Sequence, residues 1–319
     1  MKIEKLTPAF KDYLWGGTKL RDVYGKDCDF EKIAESWELS THSAGESVIA
    51  GGEFDGLTLN QYIEKAGKEV LGKNPQAFEN FPVLIKFIDA KDPLSIQVHP
   101  SDEYALEVEK EYGKTEMWYV MDCEEGASLY FGVNRPVSKE EFRAKLEDNT
   151  ILEVLNKVDV HKGDCFFIEA GTIHAIGAGT MICEIQQNSN TTYRVYDYAR
   201  RGADGKLREL HVDKALDVSK LTPSDTADKQ AEAKAICGGS EKLLATCKYF
   251  TTHKYEVDTA IEIDVDENSF ASFVFLTGEG KVEGAENTVE FKTADSVFVP
   301  AGVGKVRITG KCSFIKTTV

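Results

Sequence analysis

The sequence predicts a mainly β protein built as two related β-barrels in tandem, with helices inserted between strands. Short runs of Val, Ile, Phe and Tyr are separated by Gly, Asp and Asn turns, and helix signals are few and localised. A weak internal repeat adds the tandem arrangement. Residues 163–174 (GDCFFIEAGTIH) align without a gap on residues 294–305 (ADSVFVPAGVGK) at a constant offset of 131, matching Asp164 with Asp295, Phe167 with Phe298, Ala170 with Ala301 and Gly171 with Gly302. Both copies sit at the same place in a run of short strands, as paired barrels require.

The elements follow in order. The first 50 residues contribute strands whose arrangement the sequence leaves open. Thr58 and Gln61 have capping-box spacing before Tyr62, Ile63 and Ala66, and Ser138 and Glu141 repeat it before Phe142 and Leu146. Residues 101–112 read as a third helix. Strands are expected at 128–132, 165–169, 270–276 and 296–300. Residues 222–235 (TPSDTADKQAEAKA) are polar and lack aromatic and large aliphatic residues, as an exposed linker does. The expected organisation is therefore an N-terminal domain over 1–221, a linker over 222–236 and a C-terminal domain over 237–319.

With 42% hydrophobic residues in 319, the chain is large enough for one big domain or two smaller ones with real cores. Its 54 acidic and 38 basic residues give a net charge of −16, which argues against nucleic acid or anionic membrane as partner. An anionic substrate must then meet a local basic pocket. The seven cysteines are scattered and contain no two-residue-spaced pair, which indicates free thiols in a reducing cytoplasm rather than a disulfide framework. No signal-like apolar segment and no run of 18 apolar residues occurs, so a soluble, untargeted protein is expected.

The chemistry concentrates around residues 94–99 (LSIQVH). Strict alternation puts Leu94, Ile96 and Val98 on one strand face and Ser95, Gln97 and His99 on the other. Glu116 starts a strand in GKTEMWYV, and His174 follows the flexible Gly171 turn. Two imidazoles, a carboxylate and an amide oxygen can close on one ion. Each residue alone has a plainer reading as a solvated or hydrogen-bonded side chain; the strand spacing and the Gly-bounded turn together favour a metal site. The second copy of the repeat has Lys305 in place of His174 and no counterpart of Gln97 and His99, so the site is expected in the first barrel only.

The motifs Trp15-Gly16-Gly17, residues 35–40 (ESWELS), 82–86 (PVLIK), 94–102 with QVHP, 113–116 (GKTE) and 171–175 (GTIHA), with Glu184 and Arg194, span nearly the whole chain. Through them the sequence resembles the cupin superfamily and, within it, a short bacterial form of the type I mannose-6-phosphate isomerases. The resemblance implies two cupin-type (jelly-roll) barrels and a zinc-dependent interconversion of mannose 6-phosphate and fructose 6-phosphate through an enediol. It implies one zinc per chain, with Gln97, His99, Glu116 and His174 as ligands, and places Lys114, Glu184 and Arg194 in the catalytic site. Lys86 joins Arg194 as a candidate for binding the phosphosugar. Residues 185–193 (IQQNSNTTY) depart from the run that leads to the arginine in longer forms. Two alternatives stand beside this reading: a non-catalytic sugar-binding or regulatory cupin, and another metal-dependent cupin enzyme such as an iron dioxygenase. Lys114, Glu184 and Arg194 beside the ligands favour the isomerase over both.

Overall fold

The computed structural model describes residues 1–202, 205–224 and 231–319. Residues 225–230, the middle of the expected linker, lie outside the described residues. Among the described residues, the strands form three sheets.

A six-stranded sheet lies at the centre, in the order Cys165–Ile168, Glu116–Cys123, Thr180–Gln187, Val83–Ala90, Glu35–Leu39 and Ala9–Lys11. Its two middle strands, Val83–Ala90 and Thr180–Gln187, are buried at every residue. Strand alternation sorts their side chains between two covered faces. Ile85, Phe87, Met117, Tyr119, Cys183 and Ile185 pack with Phe270, Val274, Leu276, Phe298 and Ile315 of the C-terminal strands. Ile88, Trp118, Val120 and Ile182 point the other way, onto Leu129, Phe131 and Ile176. Those three belong to a five-stranded sheet ordered Tyr193–Tyr196, Ile96–Val98, His174–Ile176, Ser128–Val133 and Leu155–Asp159. The space between these two sheets holds the polar residues described below.

The third sheet has ten strands. It contains the strands from Lys234 onward and two short N-terminal ones, with Glu4 opposite Phe298 and Leu6 opposite Ile49. The first 50 residues are thus divided: Glu4–Thr7 and Val48–Ala50 join this sheet, whereas Ala9–Lys11 and Glu35–Leu39 edge the central one. Pro8, which has no N–H to give a ladder, separates Glu4–Thr7 from Ala9–Lys11.

The sheets are open: among the described residues none closes into the barrel that the repeat suggested. The ten-stranded path ends on the edge strands Lys234–Ile236 and Val48–Ala50. Its long strands Ala271–Glu283 and Gly304–Thr318 pair with each other through a register shift between Phe275 and Thr277, which bends the ladder over an apolar interior.

Local signals place the helices. Thr58 and Gln61 form the full capping box at the start of Leu59–Ala66. Ser138 accepts the Glu141 N–H at 3.1 Å before Lys139–Glu147, but the Glu141 side chain pairs with Arg135 instead of closing the box. The helix expected over 101–112 covers only Asp102–Val108, since Lys110 turns into the left-handed region at φ 60°. No helix among the described residues is long and apolar enough to cross a membrane, and none of the seven cysteines is joined in a disulfide.

Candidate active site

The facing sheets bring His99, Glu116 and His174 together. Pairing sets their positions: His174 lies opposite Gln97, and Glu116 opposite Gln186. His99 Nε2 and His174 Nε2 are 3.2 Å apart, His174 Nε2 is 3.3 Å from Glu116 Oε1, and His99 Nε2 is 3.8 Å from Glu116 Oε2. Each imidazole Nδ1 donates to a backbone carbonyl, His99 to Thr191 at 2.9 Å and His174 to Thr172 at 2.8 Å. Those bonds select the tautomer that leaves both Nε2 lone pairs directed at the shared centre.

Burial pushes His174 down to about 4 and holds His99 well below the usual imidazole range, so both rings are neutral. Burial raises the Glu116 carboxyl to about 7 despite the nearby Lys114. Neither Glu116 oxygen accepts a hydrogen bond among the described residues, and both are buried. Lys114 Nζ forms an ion pair with Oε2 at 2.8 Å.

Two neutral imidazoles and a buried carboxylate suit a divalent cation. Zinc at about 2.0–2.1 Å from tetrahedral ligands sets those ligands about 3.3 Å apart, and the three spacings found here bracket that value. Gln97, where the fourth ligand was expected, places its amide nitrogen 3.4 Å from His174 Nε2.

Beside this cluster opens a cleft of about 410 Å³. Gln97 and Lys114 line it, and each also touches the cluster, so they form the boundary between the two. Tyr13, Leu14 and Trp15 make one wall, held where Gly16 bridges to Ala90; a Cβ on Gly16 would lie 2.5 Å from that of Ala34. Asn190, Thr192, Arg194 and Arg208 line it as well.

Glu35, Lys86 and Glu184 come from neighbouring strands of the central sheet, on one face by alternation. Lys86 pairs with Glu184 at 3.5 Å and Glu35 at 3.6 Å, while Lys114 reaches Glu184 at 3.7 Å. Trp118 Nε1 donates to Glu184 Oε2 at 2.9 Å, and its ring packs edge-on against His174. Glu184 Oε1 is left buried without a hydrogen bond. Burial alone would raise the Glu184 carboxyl, but Lys114, Lys86 and Trp118 outweigh it and hold it below its ordinary value. Lys114 stays charged because Glu116 and Glu184 outweigh the desolvation that burial imposes.

Arg194 lies opposite Gln97 and donates from Nη1 to the Glu209 carbonyl at 2.9 Å. Its Nε is buried and has no partner among the described residues. Arg208 is held 3.3 Å from Asp197.

All eight residues singled out in the sequence therefore lie in this cleft or the cluster beneath it. Two further charged residues of the lining were not anticipated as members: Glu35, visible only as part of the ESWELS motif, and Arg208, which no local pattern marked.

Family models match two parts of the chain: residues 3–127 fit the type I phosphomannose isomerase catalytic domain, and residues 240–319 the mannose-6-phosphate isomerase cupin domain. The chain is 36% identical over 304 residues to the mannose-6-phosphate isomerase ManA of Bacillus subtilis, covering 95% of this chain and 94% of that protein. It is 35% identical over 303 residues to the mannose-6-phosphate isomerase of Streptococcus mutans, covering 95% and 93%. A crystal structure of the mannose 6-phosphate isomerase from Bacillus subtilis superposes with a TM-score of 0.92 at 34% identity over the full length of both chains.

Proposed function

The chain belongs to the type I mannose-6-phosphate isomerase family and interconverts mannose 6-phosphate and fructose 6-phosphate; we propose that it does so by proton transfer between C1 and C2 through an enediol at the floor of the cleft. The observation that carries this mechanism is Glu184 Oε1, a buried, ionised carboxylate oxygen that accepts no hydrogen bond among the described residues and lies between two lysines, beside the metal cluster.

Glu184 is the proposed base. Trp118 fixes one of its oxygens, and the other is free to take the proton from the carbon next to the carbonyl and return it to the neighbouring carbon. Lys114, kept cationic, presents ammonium protons to the oxygen on which charge develops. Lys86 holds the charge of Glu184 and binds a substrate hydroxyl at the cleft floor. Arg194 binds the phosphate with its unengaged donors, and Arg208 adds a second guanidinium in a chain of net charge −16. Gln97, His99, Glu116 and His174 are the proposed holders of one zinc per chain, with Gln97 turning its amide oxygen to the centre. When bound, the ion supplies Lewis-acid polarisation of the substrate oxygens.

The chain is further proposed to consist of two tandem cupin-type units, 1–221 and 237–319, joined through 222–236; the conformity of residues 161–171 with 292–302 supports this. A cytoplasmic location fits seven cysteines without a disulfide.

The test is turnover of mannose 6-phosphate by the purified chain as isolated, after chelation, and after separate addition of zinc, manganese or ferrous iron. Activity lost on chelation and restored best by zinc is the expected result. Full activity in a metal-free chain would remove the ion from the mechanism.

A further inference from the structure

Residues 186–191 (QQNSNT) fold into a densely bonded strap on one side of the cleft. Ser189 Oγ donates to the Tyr112 carbonyl at 2.8 Å, and Asn188 Nδ2 to Thr41 Oγ1 at 2.9 Å. The end of the strap is gripped by one carboxylate. Glu111 Oε1 accepts the Asn190 N–H at 2.8 Å, and Oε2 accepts the Thr191 hydroxyl at 3.0 Å. His42 adds a third donor: its Nδ1 accepts the Ala44 N–H at 3.0 Å, so Nε2 carries the proton that points at Glu111 Oε1, 3.0 Å away. Thr191 is the residue whose carbonyl takes the Nδ1 proton of His99.

We propose that Glu111 is a positioning residue for the metal site: by fixing Asn190 and Thr191 it fixes the carbonyl that orients His99 and selects its tautomer. This rests on the metal reading above. Glu111 does not itself line the cleft or join the cluster, and nothing in its local sequence marks it. Its contribution is long-range, through a loop carbonyl, and adds to the Thr191 N–H bond to Ser189 Oγ at 3.2 Å. Groups that orient a ligating histidine typically change metal affinity by about 10- to 100-fold; acting one bond further out, Glu111 belongs at the lower end of that range.

The experiment is zinc affinity of the full-length chain, measured by competition with a chromogenic chelator, without substrate. Glu111→Ala should bind zinc about tenfold more weakly. Glu111→Gln, which keeps an acceptor for the Asn190 N–H, should recover part of the loss. Thr191→Val removes the hydroxyl but keeps the carbonyl, so it should weaken binding less than Glu111→Ala. The double variant should be no worse than Glu111→Ala alone, because both changes break the same link. Glu111→Ala binding zinc as tightly as the unaltered chain, with only a lowered melting temperature, would make Glu111 a packing residue and overturn the inference. An unaltered chain that binds no zinc would overturn the metal reading and this inference with it, so the two failures are distinguishable.

Discussion

In the first copy of the internal repeat the His161 N–H donates to Asp164 Oδ2 at 2.7 Å, and in the second the Lys292 N–H donates to Asp295 Oδ2 at 2.8 Å. Each turn then docks on a neighbouring strand by the same pair of backbone bonds, Gly163 and Asp164 with Val120 in one case, Ala294 and Asp295 with Phe275 in the other. The strands that follow, Cys165–Ile168 and Ser296–Val299, have the same length and offset, and Gly171 and Gly302 both turn at positive φ. Three residues later the copies diverge: His174 is fully buried in the metal cluster, whereas the Lys305 side chain is 79% exposed, 3.8 Å from Glu262. The shared Asp and Gly build the turn, and what faces the interior decides the chemistry. A buried His needs polar partners, which Thr172 and Glu116 supply in the first region; in the second, Phe273, Phe275 and Phe314 fill the interior and leave a charge no place except the surface.

That contrast predicts separable phenotypes. His99→Ala should abolish metal retention and lower turnover at least about 1,000-fold. Elemental analysis after dialysis, together with the isomerase assay, checks both, and retention of the ion would remove His99 from the ligand set. Glu184→Gln should keep the metal and lower kcat by about 100- to 10,000-fold, the usual range for a positioned acid–base group. If kcat survives that change, Glu184 is not the group that takes the proton.

On the other side of the comparison, Phe314→Ala should cost about 3–5 kcal/mol of stability through lost burial and a residual cavity. The midpoint of denaturant unfolding should fall, while metal content and kcat, measured well below the transition, stay as they were. Loss of metal from that variant at a temperature where it is folded would show that the aromatic interior and the cleft are not independent.

The sequence was legible where a structural signal is local. The alternation around Gln97 and His99, the Thr58–Gln61 cap and the Gly-bounded turns all depend on residues within a few positions of one another. Glu35, Arg208 and Glu111 were illegible as members of the site and its support because they reach it only through pairing between distant segments; Glu111 meets Thr191 across 80 positions. The destination of Glu4–Thr7 was hidden for the same reason, as a four-residue strand says nothing of a partner near residue 298. The over-long helix at 101–112 has a different cause. Glu109 and Glu111 have helix-compatible side chains, but one is drawn to Tyr193 and Lys214 and the other to the strap. Tertiary hydrogen bonds decide the geometry that propensity alone would extend.

The smallest expected effect tests the comparison most directly. Lys305→His gives the second copy of the repeat the imidazole that the first copy carries at that position. If the turn itself made a metal ligand, the variant would begin to bind zinc. Convergence argues otherwise: among the described residues the group of three donor side chains lying within 4.8 Å of one another is His99, Glu116 and His174. An imidazole at 305 would gain no second imidazole, and its neighbour Glu262 is itself a surface group. One or two exposed ligands do not hold an ion that readily keeps its water. The variant should therefore show no added zinc by titration, and a stability change within about 0.5 kcal/mol, as befits a surface substitution. Stoichiometric uptake of a further ion would mean that the second region retains a latent site and that position 305 alone had silenced it.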